Sequence, residues 1–144
     1  MIDYKAILDA IQTLLEDNLD GYTITRNEAR NSDPNIASKG KGWIGIYRGS
    51  LKYEPGRVMT GSGRWDATME PTVEIQTASG KSGADAESRL QDAEYEILEL
   101  LDANPKLSNT VGMTNGYSID YQYNTEAEEL YHLSSIITIH TKTP

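Results

Sequence analysis

The sequence predicts an α+β fold: two helices packed on one face of a mainly antiparallel sheet, in the order α-β-β-β-α-β-β, forming a single domain over residues 1–144. Three observations predict it. Residues 4–19 and 84–101 carry apolar side chains at steps of three and four, the period of a helix with one buried face. Shorter stretches around them alternate apolar and polar residues, the period of a half-buried strand. These strands also succeed one another through turn signals instead of alternating strictly with helices, which favours antiparallel neighbours. A chain of 144 residues is long enough to bury a core of this kind.

The first helix buries Tyr4, Ile7, Leu8, Ile11, Leu14, Leu15 and Leu19, with Asp3 placed to cap its start and Asp20-Gly21 to stop it. Residues 22–26 (Tyr-Thr-Ile-Thr-Arg) are short, β-branched and alternating, and predict the first strand. The stretch 27–42 differs in kind, being polar, rich in turn formers and almost without apolar residues. Two readings fit it: a mobile loop that orders on contact with a partner, or a plain variable surface loop. A second strand is expected over 43–48, continuing through 51–53, with a turn at Glu54-Pro55-Gly56-Arg57 and another at Gly61-Ser62-Gly63. Pro71 is expected to open the central strand, 72–77, so that residues 47–75 make a long hairpin.

The stretch 72–101 organises the remainder. A strand runs into the turn 79–83, where Ser82 and Asp85 are spaced as a loose capping box. Ala86, Leu90, Ala93, Ile97 and Leu101 then form one apolar stripe, and Asn104-Pro105 supplies the stop. Asn115-Gly116 reads as a turn before a strictly alternating strand, 117–124, whose apolar side is Tyr117, Ile119, Tyr121 and Tyr123. An acidic connection, 125–129, leads to a last strand over 131–141.

Composition excludes several function classes. The formal net charge is −9, from 22 acidic residues against 13 Lys and Arg, so general nucleic-acid binding, which needs a basic face, is not expected. There is no cysteine, hence no disulfide, thiolate nucleophile or cysteine-based metal site. The amino-terminal residues lack a basic-then-apolar leader, and no run approaches a membrane span; neither a secretory leader nor a membrane partner is expected. Phe is absent and nine Tyr carry most of the aromatic load, which suits either interfaces or half-buried strands.

Chemistry is sparsely signalled. Gly40-Lys41-Gly42-Trp43-Ile44-Gly45 matches G-x-G-x-x-G by letter, but it enters a strand where a dinucleotide site needs a helix N-terminus. His132 and His140 stand eight residues apart on one predicted strand, about 26 Å at ~3.3 Å per residue, too far to ligate one metal. Both read as solvent-edge strand histidines. Glu94, Glu96 and Glu99 on the helix, and Glu126, Glu128 and Glu129 after it, read as solvated charged faces. No catalytic residue, cofactor or metal ligand is expected, and the protein is not expected to be an enzyme. The pointed feature is the hairpin, where Arg48, Arg57, Arg64, Trp65, Tyr47 and Tyr53 gather the residue types favoured at protein interfaces. In an acid-rich chain such a group could dock on an acidic copy of the same protein or on a neighbour.

In element order and size the whole chain resembles the tail terminator and tail-completion proteins of long-tailed bacteriophages. The shared pattern is an N-terminal helix, a strand, a polar loop, a long hairpin, a Pro-led strand (Pro71-Thr72-Val73-Glu74-Ile75) feeding a helix, and two final strands. The resemblance implies a virion protein, assembled in the host bacterial cytoplasm, that forms a ring of its own copies, usually sixfold. Such a ring caps the tail tube protein at its proper length, and offers a surface to the head–tail connector protein. DNA would pass its channel without specific binding. The same resemblance admits a neck adaptor between head and tail. A different class, a small ferredoxin-like enzyme or ligand-binding domain, is the further alternative.

Overall fold

A computed structural model describes residues 4–55, 65–107, 113–127 and 130–142. In chain order the elements are α1 (Tyr4–Asn18), β1 (Tyr22–Arg26), α2 (Pro34–Ala37), β2 (Gly42–Pro55), β3 (Trp65–Ser79), α3 (Gly83–Ala103), β4 (Met113–Ala127) and β5 (Leu130–Lys142). The five strands form one sheet in the order β1-β2-β3-β5-β4. β1 pairs parallel to β2 and every other pairing is antiparallel, so the α+β fold holds, with a sheet that is mainly antiparallel.

Alternation along each strand sorts the side chains onto two faces. On the first face Ile44, Ile46, Val73, Ile75, Leu133, Ile137 and Ile139 meet α1 and α3, which contribute Ile7, Leu8, Ile11 and Leu15, and Ala86, Leu90, Ala93, Ile97 and Leu101. Each fully buried Leu or Ile there stabilises the fold by roughly 1.5–3 kcal/mol relative to exposure, before the entropy of ordering is set against it. α1 packs on β1, β2 and α3, while α3 packs on β2, β3 and β5. α3 starts as its sequence requires: the Ser82 hydroxyl accepts the Asp85 N–H at 3.0 Å, and the Asp85 carboxylate accepts from Ser79 Oγ. That bond from Ser79 holds the Asp85 carboxyl below its ordinary value.

Several local expectations are corrected. Pro71 does not open a strand but lies within β3, where the register steps from Tyr47↔Thr72 to Ser50↔Glu70. A bulge in β2 leaves no ladder bond for the missing proline N–H to make. Asn115-Gly116 is likewise a bulge inside β4, between the pairs Thr114↔Thr141 and Tyr117↔Ile139, and not a turn before it. A local Asn-Gly step signals positive φ, which bulges and turns both use. β2 runs on through Glu54 and Pro55, where the turn was expected to begin; Gly56 and the expected turn at 61–63 lie outside the described residues.

The stretch 27–41 also holds an element the apolar period could not show. Asp33 caps the one-turn helix α2 by accepting the Asn35 N–H at 2.9 Å, with Pro34 at its first position. α2 packs on β2, β3 and β5, and Ala37 is buried. The polar segment therefore lies across the second face of the sheet, opposite α1 and α3.

Candidate interaction surface and a buried polar network

β4 is an edge strand of the sheet, and α3, which packs on β3 and β5, meets it at Tyr117, beside Asp102. From Ser118 to Tyr123 every residue is exposed. On the helix side this leaves Ile119, Tyr121 and Tyr123 open to solvent at 42, 58 and 47% of their surface, with Tyr117 half-buried against the core. Asp120 is the single charged residue between Met113 and Thr125. An open edge that carries an apolar row and almost no charge is what most β proteins avoid, because its unpaired N–H and C=O groups recruit other chains. The alternation of β4 was legible in the sequence; its exposure was not, because nothing local reports where a helix ends laterally.

The second face is polar and largely buried beneath 27–41. Arg30 Nε donates to both Glu74 carboxylate oxygens, at 2.6 and 2.7 Å, and Arg30 Nη2 reaches Ser134 Oγ at 3.1 Å. Asn31 Nδ2 donates to Gln76 Oε1 at 2.8 Å, and Gln76 Nε2 returns a bond to the Asn31 carbonyl at 2.8 Å. His132 Nε2 also lies 2.8 Å from Gln76 Oε1. Glu74, Gln76, His132 and Ser134 are all buried. His132 is thus no solvent-edge histidine: β5 sits between β3 and β4, and the overlying segment closes it off. His140, on the same strand, is half-buried, with Ser118 Oγ at 2.9 Å from its Nε2 and Glu70 3.4 Å from its Nδ1.

Of the hairpin residues favoured by sequence, Tyr47 and Arg48 lie on opposite faces of β2. Tyr47 faces the second face, with its hydroxyl buried; burial first, then the nearby Glu74 carboxylate, pushes its pKa up. Arg48 points the other way and sits over the Tyr4 ring, 5.5 Å from its centroid. Tyr53 and Trp65 lie within β2 and β3, but their side chains are outside the described set, as are Arg57 and Arg64 altogether. A separate open cleft of about 480 Å³ lies between Tyr22, Lys41, Arg89, Asp92, Tyr95 and Glu96. Its charges are partly matched internally, Lys41 with Glu96 at 3.7 Å and Arg89 with Asp85 at 3.3 Å. Burial, with Glu96 close by, pushes the Tyr22 pKa up to about 12.

The run 40–45 enters β2, not a helix, so it offers no N-terminus to a pyrophosphate. Among the described residues no group of three or more His, Asp and Glu is gathered as a metal site, and no helix is long and apolar enough to cross a membrane.

No protein-family model matches the chain, and no curated protein matches it. Among solved structures it is similar to a chain of the virion of a native gene transfer agent particle, with 7% identity and a TM-score of 0.39 over 96% of this chain and 93% of that one. At that identity and score the likeness does not say what this chain binds.

Proposed function

We propose that the protein is a virion structural subunit that acts by binding, not by catalysis: copies join side by side into a sixfold ring that caps the tail tube of a long-tailed phage. The ring ends tube growth and presents a surface to the head connector. One observation carries this reading, the open β4 edge with Ile119, Tyr121 and Tyr123 exposed along it. The sheet has two unlike ends, β1 and β4. Unlike ends meet head to tail, and head-to-tail contacts close into rings when the rotation allows. α3 adds support, because it carries seven acidic residues and one Arg, a surface that would repel phosphate if it lined a channel.

Negative-stain electron microscopy of the pure protein at high concentration, with and without isolated tail tubes, tests the reading. Rings, or caps on tube ends, are expected. Monomers that ignore tube ends overturn it, and decoration of head–connector complexes in place of tubes would assign the neck instead.

A further inference from the structure

The network on the second face has a property that ring assembly does not use. Gln76 Nε2 donates to the Asn31 carbonyl and approaches Glu74 Oε2 at 3.2 Å, which fixes its Oε1 as an acceptor. The neighbouring His132 Nε2 must then be the protonated nitrogen. Its Nδ1 is left a bare lone pair, buried and without a hydrogen-bond partner among the described residues. A proton arriving at Nδ1 would find no acceptor there among the described residues, at a buried atom.

We infer that residues 27–41 form a proton-released flap: Arg30 on Glu74, and Asn31 on the Gln76–His132 pair, latch it across the second face, and protonation of His132 frees it. The flap is suited to this. Arg30 and Asn31 hold it to the sheet by side-chain hydrogen bonds, α2 packs there with Ala37 buried, and no residue of 27–41 belongs to the α1–α3 core, so its opening leaves that core intact. Opening uncovers the buried groups Trp43, Glu74, Gln76 and His132 as a second surface.

The charged groups around His132 set the sign. Arg30 from the flap opposes its protonation, while Glu74 from β3 and Asp33 from the flap favour it. α2 brings no charged side chain, and β4 places the neutral Gln122 beside Ser134. Burial outweighs the rest, so the closed-state pKa is held below the ordinary 6.5. A histidine depressed in the closed state contributes stability in full above pH ~6.5. That contribution is lost progressively as pH falls from there towards the depressed value. This holds whether or not the chain forms a ring.

Amide hydrogen exchange of the whole protein at pH 7.5 and 5.5, corrected for intrinsic rates, tests it. Protection over 27–41 is expected to fall by up to about tenfold per pH unit below 6.5, while Ile7–Leu15 amides in α1 keep theirs. The His132→Gln variant keeps a donor for Gln76 but does not titrate, and its flap protection is expected to be independent of pH. The inference is overturned by pH-independent protection in the wild type, by an equal fall in the variant, or by a parallel loss in α1. Should His132→Gln lose protection throughout, the His132 ring titration in the wild type by NMR decides. A midpoint coinciding with flap release supports the latch, and one that does not overturns it.

Discussion

Gly45 sets the packing of the second face. A Cβ at this position would lie 2.5 Å from Trp43 Cη2 and 2.9 Å from the Tyr47 ring and hydroxyl, so two aromatic side chains close over the space a side chain would take. Gly45→Ala should therefore cost roughly 1–3 kcal/mol through forced ring movement, measured by urea denaturation. Gly49 differs in mechanism. It stands at the bulge with φ +65°, and a Cβ there would lie 1.9 Å from the Glu70 carbonyl oxygen, a backbone atom that cannot swing aside. Gly49→Ala should cost at least about 1–3 kcal/mol from conformation alone and loosen the β2–β3 pairing, seen as faster amide exchange around Ser50–Tyr53. At this scale the sequence showed glycines along the hairpin; which contact each one avoids, the flanking rings of β2 for Gly45 and the β3 backbone for Gly49, depends on the folded strands.

Among the elements, α3 carries the clearest test of the core. Leu90→Ala or Ile97→Ala removes a side chain buried between helix and sheet, and each should cost roughly 2–5 kcal/mol. Ser82→Ala, which removes the cap without touching that core, should cost about 1 kcal/mol. Comparison of the three denaturation midpoints checks both. These two links were legible in the sequence, because cap spacing and the 3.6 period are local signals. The segment 27–41 was not. Arg30 and Asn31 have partners in β3, more than forty residues further on, and a polar run facing a polar sheet face looks the same as one facing water. His132 was misplaced for the same reason. Strand order decides whether a residue is at an edge, and order is a property of the sheet, not of the strand.

For the whole molecule, the open β4 edge separates stability from association. Ile119→Lys and Tyr121→Lys together should leave the unfolding midpoint nearly unchanged, since both side chains are already exposed, yet they should abolish any higher oligomer seen by sedimentation. Loss of folding in that variant, or unchanged assembly, would sink the role given to β4. The sequence-favoured pair gives an independent check: reversing charge at Arg57 and Arg64 should leave the monomer folded and stop assembly.

The order of strands also bears on how the protein is made. β5 is the last element in the chain, yet it sits inside the sheet, paired to β3 on one side and β4 on the other. Its pairing with β3, Thr72 to Thr138 among others, spans nearly half the chain. While a ribosome is still extending the chain, β4 has emerged with no neighbour to pair with, and the core facing α3 lacks Leu133, Ile137 and Ile139. The sheet therefore closes only once translation has delivered β5, and a product truncated before it would lose the middle of the sheet instead of trimming its margin.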